Sequence, residues 1–210
     1  MQSPFLVGQH VYLRPHQPSD VDSGWYQWFN DPDVTRFMRT GSCPGTREQQ
    51  AAFYADVERR QAARSHLQLA VVHRETDTFM GVVSLANIDW VNRAAEIGLV
   101  IGRAELRGRG SGLECMALLV HHGFAALNLN RIYGEQHVGL ERWKNALVRH
   151  LAFVEEGVLR QALFKDGCYN DMVAVSVLAG DWWRRWDQAG RSIAGMIGTS
   201  AADAPGAGQG

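Results

Sequence analysis

A glycine-rich bend in the middle of the chain has the residue types that hold a phosphate group. It reads Arg107-Gly-Arg-Gly-Ser-Gly112 and opens a long apolar segment with helical spacing. Glycines let the backbone approach a ligand closely, and the N–H groups of a first helical turn attract anions. The two arginines add positive charge. We therefore predict an anion site formed by residues Arg107, Gly108, Arg109, Gly110, Ser111 and Gly112.

Spacing excludes two common phosphate loops. A nucleotide triphosphate loop needs a lysine directly after its last glycine, and no lysine follows any glycine of this bend. The dinucleotide fingerprint G-x-G-x-x-G/A fails as well, because its third position is Leu113 counted from Gly108 and Cys115 counted from Gly110. The remaining pattern is R-x-x-G-x-G between a strand and a helix.

The bend lies within a series of predicted strands and helices. Residues 95–101 form an apolar strand before it, and residues 113–127 form a helix with one buried face after it. The other predicted strands are 11–14, 67–73, 81–88, 131–138, 154–164 and 169–178. The other predicted helices are one near Ser19 that carries Trp25, Trp28 and Phe29, one at 46–63, and one at 141–151. We expect an α+β fold with mixed strands in one sheet, flanked by helices.

Length and composition favour a single domain that binds a small ligand. The 210 residues carry 21 Lys and Arg against 22 Asp and Glu, a net charge of −1, so the chain has no overall positive field of the kind that binds nucleic acid. Residues 1–186 are predicted to form one domain. The Ala/Gly-rich residues 187–210 are predicted to be a flexible C-terminal tail.

Cysteine and hydropathy patterns predict a cytoplasmic protein with neither a membrane span nor a metal. Cys43, Cys115 and Cys168 are odd in number and widely spaced, which argues against disulfide bonds and a zinc site. No apolar run nears the ~20 residues that span a bilayer, and the N-terminus has no leader pattern. His121 and His122 are adjacent and point in different directions on a helix, so we expect no metal site there.

Several segments, in order, carry a resemblance to a known family. Besides the bend, they are Trp28-Phe-Asn-Asp-Pro-Asp-Val34, Asn87-Ile-Asp-Trp-Val-Asn-Arg-Ala-Ala-Glu-Ile-Gly98, Leu127-Asn-Leu-Asn-Arg-Ile132 and Phe153-Val-Glu-Glu-Gly-Val-Leu-Arg160. Together they resemble the GNAT superfamily of acetyl-CoA-dependent N-acyltransferases, whose central motif is [Q/R]-x-x-G-x-[G/A] between a strand and a helix. The resemblance covers residues 11–182. It is strongest to the branch with ribosomal-protein N-terminal, spermidine and aminosugar acetyltransferases.

The resemblance implies a fold and a donor site. The fold is a mostly antiparallel central sheet that is splayed at two parallel strands, here 95–101 and 131–138. The pyrophosphate of acetyl-CoA would lie on the glycine bend, and its pantetheine arm would run in the splay. The backbone of Leu99, Val100 and Ile101 would polarise the thioester carbonyl, in the role of an oxyanion hole.

Direct transfer to an amine requires a base, because an alkyl ammonium has a pKa near 10. Glu96 is the first candidate, since it starts the strand that lines the cleft and the resembled family often uses a strand carboxylate there, directly or through water. The alternative is that Glu96 only pairs with Arg93 or another arginine. Glu135 and His137, on the partner strand, are second candidates, and His137 has the more suitable ordinary pKa.

The chain departs from the family pattern after strand 131–138. Counted back from Phe153, the usual cofactor-binding Asn falls at Glu141, or at Leu140 if the loop holds one extra residue. The usual Tyr that protonates the leaving thiolate falls at Val148. Asn145 is a further cofactor-binding candidate, and Asn145 or Tyr169 is the substitute acid that we consider. Without such an acid, either the thiolate leaves with a proton from water, or the alternative function is a non-catalytic acyl-CoA-binding module.

The acceptor and the assembly are predicted only as classes. The resemblance implies a primary amine, which is a small amine or aminosugar, a protein N-terminus, or a polyamine. The negative side chains of the first helices, Asp31, Asp33, Asp56 and Glu58, are too scattered to select a polyamine. A homodimer is common in the resembled family, and a C-terminal tryptophan cluster could form its contact.

Overall fold

One eight-stranded sheet organises the chain. The computed structural model describes residues 3–106 and 110–198. The strands are β1 Leu6–Val7, β2 Val11–Arg14, β3 Leu67–His73, β4 Thr78–Asp89, β5 Ala94–Ile101, β6 Arg131–His137, β7 Val154–Lys165 and β8 Cys168–Leu178. Their order across the sheet is β1-β2-β3-β4-β5-β6-β8-β7, and all neighbours are antiparallel except β5 and β6. The predicted α+β class and its parallel central pair are confirmed.

Helical segments flank both faces of the sheet. They are α1 Pro18–Asp20, a π-helical segment Val21–Trp25, α2 Tyr26–Trp28, α3 Pro32–Thr35, α4 Arg47–Ala62, a 3-10 turn Ala104–Leu106, α5 Ser111–Ala125, α6 Glu141–Leu151, α7 Ala179–Gln188 and α8 Ile193–Ile197. The single first helix that we predicted is broken, because Gly24 has φ 87°, a left-handed conformation available to glycine. We call the segments from α1 to α4 the roof.

The start of α4 follows the predicted capping box. The Thr46 hydroxyl accepts a hydrogen bond from the Gln49 backbone N–H at 3.2 Å, and the Gln49 side-chain oxygen accepts one from the Thr46 N–H at 3.0 Å. These reciprocal bonds satisfy two N–H groups that a helix start leaves unpaired. They set where the second part of the roof begins.

Strand alternation divides the apolar residues between two cores. Val71 and Val83 face α5 within the larger core, whereas Ala70 and Val82 face the roof within a smaller one. The smaller core also holds Trp25, Trp28 and Phe79. The two faces of β3 and β4 are therefore both buried, which fixes the register of the strands.

The C-terminal segment extends past the boundary that we predicted at residue 186. That boundary falls inside α7, and α8 follows with Met196 fully buried beside a fully buried Trp182. The Arg185 guanidinium also donates to the Met196 carbonyl at 3.0 Å. Residues 187–198 thus pack on the domain, and the rest of the predicted tail, 199–210, lies outside the described residues. Within the described ranges, no helix is long and apolar enough to cross a membrane.

Candidate active site

The two parallel strands separate after a short paired stretch. β5 and β6 pair at Ala94–Arg131, Ala95–Ile132 and Glu96–Tyr133, and both strands then continue without further pairing to each other. The next residue of β6 is Gly134, where a Cβ atom would lie 3.0 Å from the Ile97 carbonyl oxygen. Glycine therefore permits the last close approach, and a wedge-shaped gap opens beyond it.

A cavity of about 960 Å³ occupies this gap. It runs between the roof and the sheet, and between the amino end of α5 and the inner face of α6. The predicted site residues that line it are Glu96, Leu99, Val100, Ile101, Gly110, Ser111, Gly112 and Glu135. Arg107, Gly108 and Arg109 lie outside the described residues. The donor and base candidates on β5 and α5 therefore share one cavity.

The amino end of α5 opens onto the cavity. Gly110 precedes the helix with φ 78°, a left-handed conformation that favours glycine. A Cβ atom on Gly112 would lie 3.4 Å from the Leu99 side chain and 3.6 Å from the Trp143 ring, so the surrounding protein has room for it. That room faces the cavity and suits a ligand beside the first helical turn, whose N–H groups and dipole favour an anion.

Glu96 is half-buried and lines the cavity on the roof side of β5. Its Oε2 atom accepts a hydrogen bond from the Asn87 side-chain amide at 3.0 Å. Asn87 lies in a bulge of β4, between the pairs Ala86–Glu96 and Asp89–Ala94, and has φ 50°. Arg93, the partner that we considered as an alternative, instead donates to the Asn128 carbonyl and side chain. Glu96 is thus held in place by a neutral donor.

The second base candidates are engaged elsewhere. Glu135 lines the cavity, but its carboxylate is paired with the Arg39 guanidinium at 2.5 Å. His137 is 9% exposed, its Nδ1 accepts from the Gly139 N–H at 2.8 Å, and its ring packs on Phe37. An accepting Nδ1 carries no proton, so the remaining proton of a neutral ring is on Nε2. His137 does not line the cavity. Of the three base candidates, Glu96 is therefore the one that lines the cavity and is not paired with a cation.

The predicted cofactor residues on α6 do not line the cavity. Glu141 and Asn145 are exposed, and Val148 beside them on the same face is 43% exposed. Helical spacing turns a different set of α6 residues to the cavity, namely Trp143, Ala146 and Leu147. Tyr169, the other substitute acid that we considered, is 65% exposed in the β7–β8 hairpin. The side chains of Glu141 and Asn145 lie on the outer face of the helix, away from the cavity.

Other polar side chains in the cavity were not predicted from the sequence. The polar side chains of Gln68 on β3 and Ser84 on β4 lie in one row with Gly98 on β5, next to Glu96 on the same face. On the far side of the gap, Gln136 of β6 lines the cavity. Strand alternation gives the face on which each of these residues lies, but only the pairing register shows that they are neighbours.

Aromatic residues of the roof cover the cavity. Trp25 and Phe29, two of the three roof aromatics that we considered from the sequence, line it together with Phe37 and Phe53. The Trp25 ring packs edge to face against Phe53, with their centroids 6.0 Å apart. These rings form an apolar wall of the cavity on the face of the sheet that carries Glu96.

A buried ion pair fixes the roof to β2. The Arg14 guanidinium donates two hydrogen bonds to the Asp20 carboxylate, at 2.8 and 2.6 Å, and both side chains are nearly inaccessible. Burial alone would raise the pKa of Asp20, but hydrogen bonds from Arg14, His16 and the Gln17 backbone outweigh it and lower the pKa to about 2. The start of the roof therefore depends on an ionised Asp20.

Comparisons with known proteins agree with the geometry. The family described as Acetyltransferase (GNAT) domain matches residues 10–148. The chain is 30% identical over 179 residues to the uncharacterized N-acetyltransferase p20 of Bacillus licheniformis, covering 84% of this chain and 97% of that one. It is 28% identical over 109 residues to the ribosomal-protein-serine acetyltransferase of Escherichia coli K12, covering 52% of this chain and 59% of the other.

A solved structure shares the fold. It is the spermidine N-acetyltransferase of Vibrio cholerae in complex with CoA and spermine, with a TM-score of 0.73 and 21% identity over 84% of this chain and 99% of that chain. The resemblance seen in the sequence is confirmed over most of the chain. This chain belongs to the GNAT acetyltransferase family.

Proposed function

We propose that this chain is an acetyl-CoA-dependent N-acetyltransferase that acts on a primary amine in a ternary complex. The observation that carries the proposal is one continuous cavity, which joins the amino end of α5 to the carboxylate of Glu96. An anion site and a base are the two parts that the reaction needs at opposite ends of such a cavity. Bound acetyl-CoA would supply an activated acetyl thioester.

The residues that would hold the donor lie on β5 and α5. Gly110, Ser111 and Gly112 would bind its phosphates through backbone N–H groups at the start of the helix. The backbone of Leu99, Val100 and Ile101 lines the gap and would orient and polarise the reacting carbonyl. The space beside Gly112 fits the phosphate end of such a ligand, and the gap between the separated strands fits its extended part.

Glu96 would take the proton of the acceptor ammonium, directly or through a water molecule. Asn87 holds one carboxylate oxygen, which fixes the orientation of the group. The proton would move from the acceptor ammonium to Glu96 and from there to solvent, because Glu96 is only half-buried. A positioned base of this kind contributes roughly 10² to 10⁴ in rate.

No tyrosine lines the cavity within the described ranges. The leaving group is an alkyl thiolate, and because a thiol is far more acidic than water, a thiolate is an acceptable leaving group near pH 7. We therefore propose that it takes its proton from water. The same observation supports the second candidate function, a non-catalytic acyl-CoA-binding module.

The acceptor is proposed as a class. A relative is named for ribosomal-protein serine acetylation and a structural neighbour is titled as a complex with spermine. The carboxylates that line this cavity are Asp33, Glu96 and Glu135, and Glu135 is paired with Arg39. A small amine or aminosugar, a protein N-terminus and a polyamine all remain acceptor classes for the proposal.

A thiol-release assay with an amine panel tests the proposal. The panel contains an aminosugar, spermidine, a small monoamine and peptides with free N-termini, each with acetyl-CoA. We expect release that requires both substrates, with mass spectrometry showing one added acetyl group. CoA binding without release for any amine would instead establish the binding module, and no CoA binding would refute both functions.

A further inference from the structure

Gln136 is a buried side chain in the gap between the parted strands. It lies three residues beyond Tyr133, the last β6 residue that pairs with β5. The residue is 8% exposed and lines the cavity. Its Nε2 donates a hydrogen bond to the Leu140 carbonyl at 3.2 Å, and its Oε1 is buried with no hydrogen-bond partner among the described residues.

The orientation of this amide is set by Leu140. Exchanging the two ends of the amide would place Oε1 against the Leu140 carbonyl oxygen, where two acceptors repel. The unpartnered carbonyl is therefore a consequence of the fold. A buried carbonyl without a donor lowers the stability of the chain, so a ligand that supplies a donor gains that energy on binding.

Gln136 is the available side-chain hydrogen-bond acceptor on the side of the cavity formed by β6, α6 and β8. β6, α6 and β8 contribute two polar side chains to the lining in the described part of the chain, Glu135 and Gln136. Glu135 is bound by Arg39, and the α6 candidates Glu141 and Asn145 face outward. A ligand with amide N–H groups in the gap thus meets Gln136 as its available side-chain acceptor there.

We propose that Gln136 is a positioning residue for the acyl donor. Its Oε1 accepts a hydrogen bond from an amide N–H of the pantetheine arm, after a small rotation of the side chain toward the gap. This inference rests on the proposed function. The bond would fix the depth of the arm, and therefore the place of the thioester relative to Leu99 and Glu96.

The test separates loss of the arm contact from damage to the fold. Gln136→Leu removes the carbonyl at nearly constant size, and Gln136→Met is a second apolar replacement in case the first folds poorly. Calorimetry measures the affinity of each protein for CoA and for adenosine 3′,5′-bisphosphate, which lacks the arm. Urea unfolding of the ligand-free proteins is measured in parallel.

We expect CoA affinity to fall about tenfold in either variant, the size of one hydrogen bond. Affinity for the bisphosphate should stay within about twofold. The ligand-free variants should be as stable as the wild type or more so, because removal of the unpartnered carbonyl offsets the lost bond to Leu140, whose carbonyl still accepts from the Lys144 N–H at 3.0 Å. Stability that stays or rises while CoA affinity falls is not the behaviour of a merely structural residue.

A matched control is Gln50→Leu. Gln50 is 5% exposed on α4, has a buried Nε2 without a partner among the described residues, and does not line the cavity. Its removal should leave CoA affinity unchanged.

Three results would overturn the assignment. Unchanged CoA affinity in the folded Gln136 variants refutes the assignment of Gln136. An equal loss of affinity for CoA and for the bisphosphate refutes it too. A wild-type chain that binds neither ligand refutes the proposed function as well. If the wild type binds CoA, the proposed function stands even when the Gln136 variants refute the role of Gln136.

Discussion

Replacing Asp20 by asparagine should destabilise the chain by an amount that depends on pH. Asp20 is 3% exposed and bound by two hydrogen bonds from Arg14 at the start of the roof. Its pKa is lowered to about 2 from an ordinary value of 3.8. A carboxyl whose pKa is lower in the folded chain stabilises the fold above its ordinary pKa. That stabilisation is lost as the pH falls toward 2.

The magnitude follows from the two pKa values. At 1.36 kcal/mol per pKa unit, a shift from 3.8 to about 2 is worth about 2.5 kcal/mol at neutral pH. The same relation leaves about 1.3 kcal/mol at pH 3. Asparagine keeps the shape of Asp20 but has no charge to lose. The difference in unfolding free energy between wild type and Asp20→Asn should therefore shrink by about 1.2 kcal/mol between pH 7 and pH 3.

Urea unfolding followed by tryptophan fluorescence at pH 7, 5 and 3 measures this difference. Asp22→Asn is the matched control, because Asp22 belongs to the same part of the roof but its side chain is 58% exposed and its partner is the exposed Arg47. The control should show a small difference at every pH. A difference for Asp20→Asn that is constant with pH, or that grows in acid, would refute the role given to its ionised form.

Three further substitutions test the packing of the roof, the space for a ligand at Gly112 and the backbone strain at the end of α6. Gly102→Ala should cost about 3 kcal/mol in urea unfolding, because its Cβ would overlap the Trp28 ring of the roof; a stable variant would contradict that packing. Gly112→Ala should raise stability by about 0.5 kcal/mol through helix propensity. It should nevertheless lower CoA affinity in calorimetry, because the methyl group takes up ligand space, and unchanged affinity would count against a ligand beside Gly112. Ala152→Gly should raise stability by about 1 kcal/mol, since Ala152 has φ 57°, and equal stability would argue against strain there.

Local patterns predicted most of the elements around the site. The apolar run of β5 and the helical spacing of α5 identified the strand–bend–helix unit, and the Thr46 capping box marked the start of α4. The break at Gly24 was missed, because a glycine in a helical pattern does not show by itself whether it takes a left-handed conformation. Strand β4 also begins at Thr78, earlier than predicted.

The lining of the cavity agrees with the sequence prediction where strand and bend positions decide it, and differs from it where the direction of a helix side chain does. Glu96 and the described glycines follow from strand and bend positions. Glu141 was assigned by counting from Phe153 and Asn145 as a further candidate nearby, although the apolar spacing of α6 already places Trp143 and Leu147 on the inner face. The unpartnered state of Gln136 depends on the Leu140 carbonyl, a contact that no sequence pattern contains.

The most direct test of the central claim is turnover by Glu96→Gln, measured beside its affinity for CoA. Glutamine keeps the size of Glu96 and its contact with Asn87 but cannot take a proton. We expect amine acetylation to fall by about 10² or more, with CoA affinity within about twofold of the wild type. Wild-type turnover in this variant would contradict the assignment of Glu96 as the base in this cavity.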